Sequence, residues 1–361
     1  MRLINCSTLE FEEFLGRSIP DYAILSHTWE AHEISFKDYC SAGKKLKKLK
    51  GSAKILSTCE QALKDKLHYA WVDTCCIDKS SSAELSEAIN SMFKWYKKSK
   101  CCYAYLSDYD SKDDSSQLKH CRWFSRGWTL QELLAPHDVF FYDKNWKCFG
   151  SKQNNLIDQL AAITEIDRFV LHGHSMKDTS VAEKMSWVAR RETTREEDIA
   201  YCLFGIFGVN LPLLYGEGSN AFIRLQEEIM KQTDDTTLFA WQADSPKSMR
   251  GILARSPAHF VRGKVLDFDP EARMETPEFA MTNKGLRIQT LVKRVGNDGL
   301  IMSLHRSRKY GEMSSNRYMV HVHTGIYLVE RQGRIWRDRP HQLASEEDDG
   351  TWSMELLYIS K

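Results

Sequence analysis

The stretch RGWTLQELLAP, residues 126–136, holds one carboxylate, Glu132, between an indole, Trp128, and an apolar helical run. A preorganised carboxylate can stabilise positive charge that develops on a bound substrate. Thr129 and Glu132 also have the T-x-x-E spacing of a capping box, in which each side chain satisfies a backbone N–H left open by the first helical turn. Capping explains the spacing but not the indole or the preceding RWFSR, so both roles stay open. Upstream, YAILSHTW ends in Ser26, His27, Thr28 and Trp29, and WVDTCCIDK carries Asp73 and Asp78 around the doublet Cys75-Cys76. His27 can bind a phosphate or a sugar hydroxyl, or cap a turn. Trp29 can stack on an aromatic ring of a ligand or fill the core, as large aromatics mostly do. Asp73 and Asp78 can hold ligand hydroxyls or bond loop amides. The planar fork of Arg126 matches the oxygen pairs of a phosphate, or closes a salt bridge. Cys75 and Cys76 offer a nucleophile only with a neighbouring base, and no histidine follows at a readable interval. Buried thiols are their default reading.

These groups need elements that bring them together. Residues 22–25, 69–72, 101–108 and 138–146 hold apolar, β-prone runs, and polar residues gather at the carboxyl ends of all four. Between the second and third, Ser81 and Glu84 read as a capping box before Leu85, Ala88, Ile89, Met92, Phe93 and Tyr96 on one helical face. Apolar strands alternating with amphipathic helices predict an α/β domain, a parallel sheet flanked by helices, over residues 1–150. Ligands of such sheets sit beyond the carboxyl ends of the strands. Residues 151–240 read as a helical extension, with VAEKMSWVARR, EEDIAYCLFGIF and NAFIRLQEEIMKQ as three helices. The charged TTREEDIAY reads as architectural, since acidic residues suit a helix start. Residues 241–361 form a β-rich C-terminal region, with turns expected at GNDG and HTG.

Fifty basic residues against 49 acidic ones leave a net charge of +1, so no global field favours nucleic acid or an anionic membrane. The run KKLKKLK reads as a solvated helical face. No apolar run approaches the roughly 18 residues of a membrane span, and the N-terminus lacks the order of a secretory signal. A cytoplasmic protein is expected. Ten cysteines in such a chain are expected to be reduced thiols. Neither cysteine doublet has the spacing that grips zinc, so no metal site is predicted. The phosphate-binding signature GxGxxG is absent, and YGEGSNAF lacks the strand and lysine of a P-loop.

YAILSHTW, WVDTCCIDK, FSRGWTLQELLAP and REEDIAYCLFGIFGVNLPLLYGEGSNAFIRLQEEI, in that order, resemble the fungal heterokaryon incompatibility (HET) domain family. That resemblance implies self/non-self recognition ending in regulated cell death, a form of innate immunity. A more distant resemblance is to TIR domains, whose first strand often reads YDVFLSH and whose later motif often reads SxWCxxEL. It implies a TIR-like sheet for residues 1–150. In TIR enzymes that cleave NAD, the glutamate of the second motif is the catalytic carboxylate, which corresponds to Glu132; the cysteine usual in that motif is Thr129 here. The implied activity is that of an NAD(P) glycohydrolase, with NAD or NADP as substrate and no cofactor. Glu132 would be catalytic, with Ser26, His27, Trp29, Asp73, Asp78, Arg126 and Trp128 as ligand contacts. Breaking the nicotinamide–ribose bond expels a neutral pyridine from a cationic pyridinium, so the leaving group needs no proton. The paired general acid of most glycosidases can therefore be absent. Self-association and an upstream sensor are the partners implied. The rival reading is a non-catalytic interaction module that recruits death-signalling partners, with Glu132 capping its helix.

Overall fold

The structure is a computed structural model that describes residues 1–16, 18–245, 250–263, 278–313 and 316–361. Two compact units comprise Met1–Met176 with Arg191–Leu213, and Lys177–Arg190 with Leu214–Lys361.

The first unit contains strands β1 (Arg2–Asn5), β2 (Phe11–Glu13), β3 (Tyr22–His27), β4 (Tyr69–Trp71), β5 (Cys101–Tyr105), β6 (Val139–Tyr142) and β7 (Cys148–Ser151). They form one sheet in the order β2-β1-β4-β3-β5-β6-β7. The four apolar runs of the sequence become β3 to β6, which pair in parallel. Every residue of β3 is buried, because both faces of this strand are covered. Antiparallel strands extend both edges of the parallel core, a feature that the apolar runs did not announce. RLIN, FEE and CFGS are too short and too mixed in polarity to stand out.

Helices connect the parallel strands. Ser52–Lys64 lies between β3 and β4, and Ser82–Lys98 between β4 and β5. Ser81 caps the second by accepting from the Glu84 N–H at 3.3 Å. The other half of the expected box is replaced: the Glu84 carboxylate accepts from Arg2 and from the Asp78 N–H, each at 2.8 Å. The chain leaves β3 to form β4 on one side and β5 on the other, so β3 is where the winding of the sheet reverses. EEDIAYCLFGIF, expected as one helix, is two short ones, Asp198–Tyr201 and Phe204–Phe207. Three-residue hydrogen bonds, Leu203 N–H to Ala200 O and Ile206 N–H to Leu203 O, tighten the chain at the break.

The second unit contains helices Val181–Ser186 and Asn220–Met230 and strands β8 (Phe279–Thr282), β9 (Gly285–Val295), β10 (Gly299–Met313), β11 (Asn316–Arg331), β12 (Arg334–Arg337), β13 (Ala344–Glu347) and β14 (Ser353–Ile359). The helix expected over VAEKMSWVARR covers only its first half. The pairings β10-β11-β12-β14-β9 return to β10, which closes a five-stranded barrel. GNDG joins β9 to β10 as expected, but HTG is no turn: β11 runs through it. The register of β10 shifts between Ser303 and His305 opposite this point. Gly325 suits the close approach there, since a Cβ would stand 2.6 Å from the Met302 carbonyl oxygen. Among the described residues, no helix is long and apolar enough to cross a membrane.

The helix Phe204–Phe207 packs so tightly on Ser82–Lys98 that a Cβ at Gly205 would lie 2.0 Å from the Phe93 Cβ. The obstacle is close to the backbone and cannot swing away. Gly205→Ala should lower stability by about 1–3 kcal/mol, read by urea denaturation. An unchanged midpoint would contradict this packing.

Candidate functional site

The helix that carries Glu132, Thr129–Leu134, has Trp128 at its N-cap in helical conformation and no side-chain cap. The capping box therefore does not form. The Thr129 hydroxyl lies 2.5 Å from the Trp123 carbonyl and 2.9 Å from the Arg126 carbonyl. Glu132 turns instead toward β3, where it accepts a hydrogen bond from Ser26 Oγ. That hydroxyl in turn accepts from the Trp123 indole N–H at 2.8 Å. Ser26 and Trp123 are fully buried, and Glu132 is 7% exposed.

Burial pushes the Glu132 carboxyl up to about 8, and the negative charge of Asp73 adds to the rise; the Ser26 and Tyr96 hydroxyls and the Arg191 guanidinium act against it. At neutral pH the group is mostly a neutral acid. Its neighbour behaves in the opposite way. Burial would raise Asp73, but Lys79, His27 and Trp29 together hold it well below the usual carboxylate range. Asp73 accepts from Trp29 Nε1 at 2.9 Å, lies 2.9 Å from His27 Nε2, and pairs with Lys79 at 3.7 Å. The Lys79 ammonium stands 3.6 Å from the centroid of the Trp29 ring, which is part of a side chain 55% exposed. On the other side of His27, Lys54 lies 3.3 Å from Nδ1 and donates to the Thr28 carbonyl and to Glu33.

Ser26 with Glu132, and His27 and Trp29 with Asp73, thus form two groups at the carboxyl ends of β3 and β4. Asp78 stands apart: its carboxylate accepts from the Ser80 N–H at 3.0 Å and hydroxyl at 2.6 Å, the loop role open to it from the sequence. Arg126 donates to the Thr194 hydroxyl at 2.9 Å, and Trp128 is half-buried beside it in the chain. Burial pushes the Cys75 thiol well up, which disfavours a thiolate nucleophile. Among the described residues, no group of three or more His, Cys, Asp or Glu side chains could hold a metal. Trp123, Lys54, Lys79 and Arg191 escaped the sequence reading, and Tyr96 was read only as part of a helical core face. Only Trp123, within RWFSR, carried a local signal.

Folding takes up a proton at Glu132 wherever the unfolded carboxyl, near 4.5, is ionised and the folded one is not. This stability is fully present below the unfolded value and is lost as pH rises through the folded value. The stability of the wild type relative to Glu132→Gln should therefore fall by up to about 1.4 kcal/mol per pH unit between about 4.5 and about 8, then level off. A pH-independent difference in urea denaturation would show that the carboxyl titrates normally.

Comparison with known proteins places names on these units. A family profile described as "Heterokaryon incompatibility protein (HET)" matches residues 22–121. A second, described as "Domain of unknown function (DUF8212)", matches residues 220–318. The chain is 47% identical to the "Vegetative incompatibility protein HET-E-1" of Podospora anserina, over 63% of its own length and 17% of that relative's. It therefore corresponds to a small part of a much longer protein. No solved structure matches. The first matched segment holds β3, β4 and β5 with Ser26, His27, Trp29 and Asp73, and the name of the relative agrees with it, so residues 22–121 are similar to the heterokaryon incompatibility (HET) domain family.

Proposed function

We propose that the chain is a cell-death effector of the fungal heterokaryon incompatibility type and that it hydrolyses the nicotinamide–ribose bond of NAD, NADP or a related nucleotide at Glu132. The incompatibility role is supported by the printed name of the relative and by the HET match. The enzymatic part is supported chiefly by one observation: a buried carboxyl with a strongly raised pKa stands at the carboxyl end of a parallel sheet, within electrostatic reach of an ionised aspartate that meets a histidine. Perturbed titration in such a place is a mark of catalytic sites. The winding order of the parallel strands is compatible with a TIR-like arrangement.

In this reading the bond from the ribose carbon to the pyridinium nitrogen breaks, and its electron pair leaves with nicotinamide. Water adds to the ribose carbon and loses a proton. Glu132 must be ionised to stabilise the positive ribose. A pyridinium cation arriving next to it favours the charged form, as any nearby opposite charge does. The free site can thus keep the carboxyl neutral until a cationic substrate arrives. His27 and Asp73 would hold ribose hydroxyls or phosphate, and Trp29 would stack on a ring. The working state would be a self-associated one, nucleated by an upstream sensor in the cytoplasm, since mass action lets an assembly stay rare until triggered.

A second reading has its own support. Ser26 already satisfies Glu132 and the Trp123 indole supports that bond, so the carboxyl could serve only to lock its helix to β3 in a protein-interaction module. Glu132→Gln separates the two, because an amide resembles the neutral acid in shape and hydrogen bonding. Stability should match that of the wild type within about 1 kcal/mol near pH 4, where both side chains are neutral, and exceed it at pH 7, as the linkage at Glu132 requires, while NAD cleavage by the purified protein and toxicity in cells fall at least about 100-fold. Toxicity retained in a folded Gln variant would sink the enzymatic reading and favour the module.

A further inference from the structure

The turn that aims Glu132 is held from a distant part of the chain. The Glu192 N–H donates to the Ser125 carbonyl at 2.7 Å, and the Gly127 N–H donates to the Glu192 carbonyl at 2.9 Å. A Cβ at Gly127 would stand 2.7 Å from the Thr193 side chain, so these two stretches of backbone can approach only with glycine there. Beside this short ladder, Arg191 Nη1 donates to the Arg126 carbonyl and to the Thr129 hydroxyl, both at 3.0 Å.

Helix electrostatics do not explain that placement. A cation at the start of a helix opposes the helix dipole, and the six-residue helix gains nothing from it on that account. Burial lowers Arg191 to about 10, while the charges of Cys202 and Glu132 act in the opposite direction. The guanidinium remains charged at neutral pH. The groups that act on Glu132 are Ser26 and Tyr96, which offer hydroxyls, Asp73, which is negative, and Arg191, which is positive. The Cys102 thiol also lies near, with Sγ 4.0 Å from the Glu132 carbonyl oxygen.

We propose that Arg191 is a positioning residue for Glu132: its Nη1 group, bonded to the Arg126 carbonyl and the Thr129 hydroxyl, fixes the turn Ser125–Thr129, and its positive charge favours the ionised carboxylate. The guanidinium acts through the carboxyl and need not touch a ligand. Its importance for turnover rests on the enzymatic reading above, but its effect on the charge of Glu132 does not.

The test uses the difference in stability between the wild type and Glu132→Gln as a function of pH, repeated with Arg191→Gln and with Arg191→Lys. In the Arg191→Gln background the pH at which this difference levels off should move up, as expected when an opposite charge near a carboxylate is removed. Arg191→Lys keeps the charge and loses the placement of Nη1 on the turn, so its curve should lie between the other two. A Gln curve that coincides with that of the wild type, or a Lys curve displaced as far as the Gln curve, overturns the proposal. If Arg191→Gln does not fold, the Lys variant decides alone: an upward displacement supports the proposal, and coincidence with the wild type overturns it. NAD cleavage is not the readout. A protein that cleaves no nucleotide can still pass this test, and a failed test leaves the enzymatic reading standing.

Discussion

A carboxyl group buried against the hydroxyl of a central strand is the constraint on which the site of this unit depends. The helix that bears Glu132 has six residues and no side-chain cap, so its own backbone cannot hold it. It is fixed from outside at each end. Arg191 grips the turn at its start. At its far end the fully buried Lys152 donates to the Leu133 carbonyl at 2.9 Å and to the Pro136 carbonyl at 2.6 Å, satisfying oxygens that the last helical turn leaves open. The Lys152 ammonium at the negative end of the helix also suits the dipole. Between these anchors, the buried Glu132 meets Ser26. The neutral form is favoured because a buried charge without full compensation costs several kcal/mol.

The second carboxylate of the site solves the same problem in another way. Asp73 is ionised because it is surrounded by donors and cations: His27, Trp29 and Lys79 all reach it. Two carboxyl groups near one sheet edge are thereby driven apart in their titration, one kept as an acid and the other as an anion. Environments that separate a pair in this way allow each member a different task. Asp73 also orients His27, and Lys54 meets the other ring nitrogen, so the imidazole is held from both sides.

Much of this frame was legible in the sequence because it is written in local pattern. Apolar runs gave β3 to β6, and helical spacing gave the helix Ser82–Lys98. What failed was any inference about which partner a polar side chain selects. T-x-x-E at Thr129 and Glu132 is compatible with a cap, yet Thr129 bonds upstream carbonyls and Glu132 bonds a strand. Spacing of three residues cannot report a neighbour more than a hundred positions away. Arg191 and Lys54 were invisible for the same reason, since nothing local distinguishes a buried cation from a surface one. In the second unit HTG looked like a turn because glycine there has two explanations, and the close approach of neighbouring backbone was the operative one.

The alternation of β3 explains how so few residues serve two sets of contacts. Ser26 and His27 are consecutive, so their side chains point to opposite faces of the sheet. Ser26 faces the side from which Glu132 and the Trp123 indole arrive, and His27 faces the side of Lys54 and Asp73. Both residues still belong to the ladder, pairing with Ala104 and Tyr105 of β5. The neutral carboxyl and the ion cluster therefore approach the same strand end from opposite faces. Because the winding reverses at β3, the connections that follow β3 and β5 diverge, one toward β4 and the other toward β6. A group placed beyond the end of β3 would be flanked by a proton-bearing acid on one side and an oriented imidazole with its carboxylate on the other.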